Sequence, residues 1–276
     1  MDDNTKAKLK SIELDLLTHF IAVCEKHSLT YFCCAGTCLG AVRHQGFIPW
    51  DDDVDVAMPR RDYETFLKVA QQDLPNGIFL QWGKTDPNYP ANFAKLRNSN
   101  TTFLETSVAD FQINHGVYLD IFPLDGANTS KWFKIKDFLY KRIVSMEYDI
   151  PDIAPASLKG KALNFILRAL HIDYRWARDK REALIQKRPY ESSDIIINYS
   201  GAWGAREFMP RAFLGEGVDA SFEGITVKIP QQWDKYLTHL YGDYMTPPPI
   251  EKQVGHHYCS VIDLEKSYKD YIAKQA

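Results

Sequence analysis

The sequence predicts a mixed α/β fold of the α+β kind, and three observations carry that expectation. An amphipathic helical stretch from about Thr5 to His27 runs directly into the β-rich LTYFCC, Leu29 to Cys34. Asp53-Val-Asp-Val-Ala57 alternates charged and apolar residues with period two, as a half-buried strand does. HGVYLDIFPLDG, His115 to Gly126, is a second apolar strand that carries a single carboxylate before a proline-containing exit.

Taken in order, Gly36 breaks the first strand, and CLGAVRH, Cys38 to His44, reads as a short helix. The start of such a helix offers free backbone N–H groups and the positive end of a dipole, a seat suited to phosphate. ANFAKLRNSNTTF reads as a strand on which Lys95 and Arg97 alternate, both within reach of phosphate oxygens. Arg43, inside the helix that begins at the phosphate seat, is a further candidate for the same contact. Trp132 to Asp149 and Ser157 to Lys187 read as helices, Asp194 to Tyr199 and Phe222 to Ile229 as strands, and Gln231 to Tyr241 as a helix. MTPPPIEKQVGHHY then forms a loop stiffened by Pro247, Pro248 and Pro249. His256 and His257 are expected at its surface.

With 45% hydrophobic and 13% aromatic residues, the chain holds enough apolar mass for one large domain, or a core domain with an appended lobe, which excludes disorder. The amino terminus lacks a basic region followed by an apolar one, and no apolar run approaches 18 residues. The expected location is therefore cytoplasmic. A net charge of −3 argues against a nucleic-acid binder. The charge is uneven, however. KWFKIKDFLYKR, Lys131 to Arg142, has five basic residues against one acidic, and Lys159 to Arg188 has nine against three, so both read as basic amphipathic helices with solvated basic faces. The sharper alternative is peripheral contact with an anionic membrane, at its inner face. Cys24, Cys33, Cys34, Cys38 and Cys259 are odd in number and lack framework spacing, which points to reduced core thiols. Adjacent Cys33 and Cys34 on a strand would face opposite ways, which argues against a zinc site with Cys38.

The chemistry concentrates in FIPWDDDVDVAMP, Phe47 to Pro59. Carboxylates this close repel one another unless water or cations neutralise them. Asp51, Asp53 and Asp55 fall at the first, third and fifth positions of an EF-hand pattern, but Val56 stands where glycine is needed and Asp62 where the final Glu belongs. Asp53 and Asp55 are expected on one side of a strand, spaced by about 6.5 Å along it, so they can grip one cation or a pair. Asp51 and Asp52 are expected to cap or solvate the loop. Asp120 could supply a third acid from a neighbouring strand. A paired-carboxylate strand, a further acid and a Gly36-Thr37 helix start together suit two-metal phosphoryl transfer.

The run GTCLGAVRHQGFIPWDDDVDVAMPRRDYETFL, with HGVYLDIFPLDG and the late YGDYMTPPP followed by two histidines, resembles the LicD-type transferases, which include phosphocholine transferases. It is more distantly similar to fukutin-related ribitol-phosphate transferases. The resemblance spans most of the chain. It implies a nucleotidyltransferase-like mixed sheet flanked by helices, with a helical insertion, acting on a CDP-activated alcohol with a divalent metal, Mg²⁺ or Mn²⁺. Carried across, Gly36 and Thr37 match the phosphate-binding turn, Asp53 and Asp55 the metal pair, and Asp120 the third acid.

The expected organisation is a catalytic core over residues 1–126, a basic helical region over 127–190 and a C-terminal region over 191–276 that completes the substrate site. The expected reaction moves a phospho-alcohol group, phosphocholine favoured, from a CDP-linked donor such as CDP-choline to a hydroxyl of a cell-surface glycan or lipid-linked sugar, releasing CMP. Teichoic acid, capsule and lipopolysaccharide precursors are the candidate acceptors. A choline headgroup wants an aromatic box, for which Trp203 and Tyr241 or Tyr244 are the candidates. The alternative is nucleotidyl transfer from an NTP with pyrophosphate as leaving group. A glycosyltransferase reading of Asp53-Val-Asp55 is weakened by the Gly-Thr helix start that precedes it.

Overall fold

The computed structural model describes residues 2–146, 158–255 and 258–272. Asp149, Ser157, His256 and His257, named above, lie outside them. In chain order the elements are α1 (Asp3–Lys26), β1 (Phe32–Cys33), α2 (Ala35–His44), β2 (Asp55–Pro59), α3 (Arg60–Asp73), β3 (Ile78–Gln81), β4 (Ala94–Asn98), β5 (Thr102–Glu105), β6 (Val117–Gly126), α4 (Lys131–Ser145), α5 (Leu158–Ala169) and α6 (Tyr174–Ile185). They continue with β7 (Ile195–Ile197), β8 (Met209–Pro210), β9 (Val218–Phe222), β10 (Ile225–Ile229), α7 (Trp233–Tyr241), β11 (Cys259–Asp263) and α8 (Lys269–Ile272).

The fold is α+β, built on a mixed sheet of order β1-β2-β6-β4-β3. β2 and β6 run parallel, while β1 and β4 pair antiparallel with their neighbours. β7 pairs with the last residues of β6 and carries β8 beside it. All ten residues of β6 are buried, which explains why its sequence is mainly apolar without alternation, Asp120 and Asp125 apart: a central strand covered on both faces has no solvent side to mark. α1 packs on β6 and β4 through Leu9, Leu16, Leu17, Phe20, Val23 and Cys24, spaced at helical intervals. Asp2 caps its start by accepting from the Thr5 N–H at 2.8 Å. The main core also draws in Phe222 and Val227 of the β9–β10 hairpin and Tyr236, Leu237 and Leu240 of α7, so the last third of the chain packs on the first. Among the described residues all five cysteines are free, four of them buried.

Several elements differ from the sequence expectation. The stretch Phe222 to Ile229 is not one strand: Glu223 (φ 48°) and Gly224 (φ 81°) both adopt the left-handed region and turn the chain into the β9–β10 hairpin. Two consecutive positive φ values make the two-residue loop that matches strand twist. The expected helix from Ser157 to Lys187 is two helices, broken at His171 (φ 47°), after which Asp173 caps α6 by accepting from the Arg175 N–H. The first strand shortens to two residues, and β2 starts at Asp55 rather than Asp53, because pairing with β6 begins there. The basic stretch is not wholly solvated either. Arg178 and Arg181 are buried, donating to the Pro87 and Tyr89 carbonyls and to Asp137, Asn92 and the Tyr199 carbonyl, which clamps α6 onto the β3–β4 connection, α4 and the segment after β7. Among the described residues no helix is long and apolar enough to cross a membrane.

Candidate active site

The cleft forms where β1 passes into α2 and the parallel pair β2 and β6 lies alongside. Cys34 precedes α2 in extended geometry, and Ala35 takes a left-handed φ of 44° while donating its N–H to the Tyr236 hydroxyl at 3.0 Å. Gly36 follows, and a Cβ there would stand 2.6 Å from an Asp51 carboxylate oxygen, so the missing side chain is what lets the acidic loop lie against the start of α2. Thr37 is buried, and its hydroxyl accepts from the Asp55 N–H at 2.8 Å. The Gly-Thr pair thus fixes both the loop and the first residue of β2.

From that point the sheet register does the rest. Asp55 is directly opposite Asp120 on the parallel neighbour, and Asp120 is directly opposite Lys95 on β4. Residues paired across strands point to the same face, so the three form a row of acid, acid and base. Lys95 Nζ lies 3.0 Å from Asp120 Oδ1 and 3.6 Å from Glu105 Oε2, and sits over the Tyr118 ring at 3.3 Å. Asp53, two residues before the start of β2, lines the same cleft as Asp55 and Asp120. Burial pushes the Asp55 carboxyl well above the usual range, and Asp53, Asp120 and Asp51 push it further against the opposing pull of Lys95.

Asp51, Asp52 and Asp53 hold carboxylate oxygens within 4.8 Å of one another. Asp51 and Asp52, expected only to cap or solvate the loop, therefore belong to the same acidic cluster. Glu13 of α1 joins it from beneath: it is 2% exposed, and burial first, then Asp53, Asp52 and Asp51, push its carboxyl well up. Sequence reasoning missed Glu13, although the signal was present in an acid placed on the apolar stripe between Leu9 and Leu16. An all-carboxylate donor set of this kind fits hard divalent cations such as Mg²⁺ or Mn²⁺.

The basic candidates are placed differently from expectation. Arg43 occupies the last turn of α2, about 12 Å along the axis from its start at 1.5 Å per residue. Its guanidinium donates to the Tyr244 carbonyl at 2.7 Å and to His44 at 2.9 Å, and faces the Trp50 ring. Arg97 is fully buried, donating to Gln81, the Gly116 carbonyl and Glu105, which makes it a strut of the sheet rather than a group facing the cleft. A guanidinium on a covered strand can persist only with its donors satisfied internally. Lys95 is likewise held inside by Asp120 and Glu105.

The aromatic candidates separate cleanly. Trp203 lines the cleft, 38% exposed, and meets Tyr241 edge to face with ring centroids 4.7 Å apart. Tyr241 stands close enough to the acids that Asp55 and Asp51, after burial, push its phenol up. Tyr244 is instead occupied, its hydroxyl donating to Asp234 at 2.6 Å. Cys259 lies on β11, paired with Glu105 of β5.

Residues 28–156 match the family described as LicD/FKTN/FKRP, nucleotidyltransferase domain. This segment is a LicD-family domain. It contains the Gly36-Thr37 turn, the acidic loop, Lys95 and Asp120. The chain is also 28% identical over 253 residues to the lipopolysaccharide cholinephosphotransferase LicD of Haemophilus influenzae, covering 88% of this chain and 92% of that protein. An uncharacterized protein of Rickettsia prowazekii is 36% identical over 101 residues, and one of Rickettsia typhi 45% identical over 59. Those two alignments cover 36% and 21% of this chain and 34% and 19% of the rickettsial proteins. Trp203, Glu207 and the rest of the cleft's C-terminal wall lie beyond the LicD-family domain but within the length of chain that the Haemophilus protein's similarity requires.

Proposed function

We propose that the protein is a Mg²⁺- or Mn²⁺-dependent phosphocholine transferase that takes its group from CDP-choline, passes it to a hydroxyl of a cell-surface glycan or lipid-linked sugar, and releases CMP. The observation that carries this reading is the in-register pair of Asp55 and Asp120, with Asp53 at the same cleft. A buried acid, Asp120, beside the half-buried Asp55 is a costly arrangement unless the working state brings positive charge to the pair. The LicD-family domain and the Haemophilus relative's activity support the choice of reaction.

In this mechanism Asp53, Asp55 and Asp120 would hold the divalent cation or cation pair. Bound there, it would supply charge neutralisation for the donor's pyrophosphate and a lowered pKa for the attacking hydroxyl. The chain's own residues do the rest. Gly36 and Thr37 set the start of α2 and the Asp55 backbone against the site, so that donor phosphates meet a helix amino terminus. The acceptor oxygen bonds to the phosphorus distal to cytidine, the bond from that phosphorus to CMP breaks, and the acceptor's proton passes to a carboxylate, assigned to Asp120. Lys95 Nζ, 3.0 Å from Asp120 Oδ1, holds that carboxylate in position at the cleft. Trp203 and Tyr241 offer ring faces to the choline ammonium.

The region around α4 to α6 supports a peripheral contact with an anionic membrane carrying the acceptor. Trp132, Phe138, Phe165, Ile166 and Trp176 are exposed among lysines and arginines. Sedimentation with vesicles of anionic and of neutral lipid tests it, with retention only on the anionic ones expected.

Nucleotidyl transfer with release of pyrophosphate is the competing reading, favoured by the name of the matched domain. The product decides between them. Incubation with Mg²⁺, CDP-choline and a glycan acceptor should yield CMP and a phosphocholine-bearing product. Pyrophosphate formed from CTP, with CDP-choline inert, overturns the proposal.

A further inference from the structure

The cleft has a second buried acid that this mechanism does not use. Glu207 lines it, 7% exposed, at the end of the turn that begins with Gly201 and carries Trp203. Its carboxylate accepts from the Trp203 N–H at 3.1 Å and fills the space where a side chain on Gly201 would stand, so acid and indole belong to one rigid turn. Among the described residues no Lys, Arg or His pairs with it; neighbouring Arg206 turns away to donate to the Leu240 carbonyl. Burial alone holds its carboxyl up, at about 7. A buried carboxyl facing a cleft without a cation of its own is an unfavourable arrangement for the empty protein. It becomes favourable when a ligand supplies the positive charge, and Trp203 with Tyr241 beside it supplies ring faces that prefer a diffuse, weakly hydrated cation.

We infer that Glu207 is the specificity-determining anion of the headgroup subsite, which selects a quaternary ammonium over the uncharged glycerol and ribitol headgroups that the same phosphate machinery would accept. This rests on the CDP-alcohol reading of the cleft. It adds to that reading a reason for choosing among donors, since in that reading the acids around Asp55 serve the phosphate end that all such donors share.

The test is calorimetric titration of the full chain, with Mg²⁺ present, by CDP-choline, CDP-glycerol and CDP, for wild type, Glu207→Gln and Glu207→Asp. The Gln variant keeps the shape and an acceptor for the Trp203 N–H, and circular dichroism checks its fold. The expected result is a loss of about tenfold in CDP-choline affinity for Glu207→Gln with CDP-glycerol and CDP unchanged, and partial recovery in Glu207→Asp. Equal weakening of all three ligands would show that the acid only braces the turn, and no change at all would also overturn the inference. Should Glu207→Gln not fold, Glu207→Asp carries the test: it keeps the charge but draws it back by one methylene, and an unchanged ratio of CDP-choline to CDP-glycerol affinity refutes the role. A parallel titration with free choline, followed by tryptophan fluorescence, separates the two readings. Choline binding that depends on Glu207, in a protein that ignores every cytidine ligand, would end the CDP-donor proposal and leave the subsite standing. Failure of choline and of every cytidine ligand to bind would overturn both.

Discussion

Replacing Arg60 with Met should cost the protein a large part of its stability. Arg60 opens α3, 8% exposed, and its guanidinium grips the Asp125 carboxylate in a two-pronged contact, Nε to Oδ1 at 2.8 Å and Nη2 to Oδ2 at 2.6 Å. Nη1 also reaches Glu182 of α6 at 2.6 Å, so one side chain joins α3, the end of β6 and the helical insertion. Asp125 is fully buried, and burial pushes its carboxyl up even with the guanidinium pulling the other way. Removing the partner of a buried ion pair strands the remaining charge at a cost of about 3 to 5 kcal/mol. For a chain of this size, at about 2 to 4 °C per kcal/mol, thermal unfolding should come about 6 to 20 °C earlier. Arg60→Lys should recover only part of this, because an ammonium cannot match the two-pronged geometry. The double variant Arg60→Met/Asp125→Asn should be more stable than Arg60→Met, since it no longer buries a lone carboxylate. Thermal melts followed by circular dichroism read all three. A fall under 3 °C in Arg60→Met, or a double variant no better than the single, would refute the assignment of a buried, mutually dependent pair.

Asp53→Asn and Asp55→Asn should each abolish CMP release while circular dichroism stays native, and Asp55→Asn should raise the melting temperature of the metal-free protein, because Asp53, Asp120 and Asp51 no longer face a fourth charge; retained turnover in both variants would sink the role. Thr37→Val should destabilise by about 1 to 3 kcal/mol by leaving the Asp55 N–H without its acceptor, and should slow turnover, whereas Thr37→Ser should restore both; urea unfolding and a CMP assay measure this. Glu207 predicts a pH effect of known sign: its folded carboxyl titrates near 7 against an ordinary 4.5, so the native state holds the proton more tightly and the unliganded protein loses stability as pH rises through that window. The loss attributable to Glu207 approaches about 3 kcal/mol. The difference between wild type and Glu207→Gln in urea midpoint across pH 5 to 8 should follow it, and parallel curves would contradict it.

Much of the fold was legible where a side-chain pattern is local. The stripe of α1, the apolar run of β6 and the alternation around Asp55 each announce their element, since burial on one face or two leaves a period in the sequence. What failed locally failed for a physical reason. Phe222 to Ile229 reads as one strand, yet Glu223 and Gly224, left-handed in succession, reverse the chain. Arg178 and Arg181 look like a solvated basic face because a buried arginine is allowed only by distant carbonyls that no local pattern reveals.

By itself, then, the sequence determined the chemistry on offer: the clustered acids, the glycine that lets them close on α2, the threonine that follows it, and Asp120 on a second strand. Only the tertiary structure decided how they meet. Register set Asp55 against Asp120 and Asp120 against Lys95, residues far apart in the chain, because sheet pairing is fixed by hydrogen bonds and by which face is buried rather than by spacing along the chain. Packing of α1 brought Glu13 to the acidic loop, and packing of α7 brought Tyr241 to Trp203, whose backbone N–H donates to Glu207 at the same cleft. The same long-range packing turned Arg97 inward and left Arg43 at the far end of its helix, so charge alone could not tell a strut from a ligand-binding group.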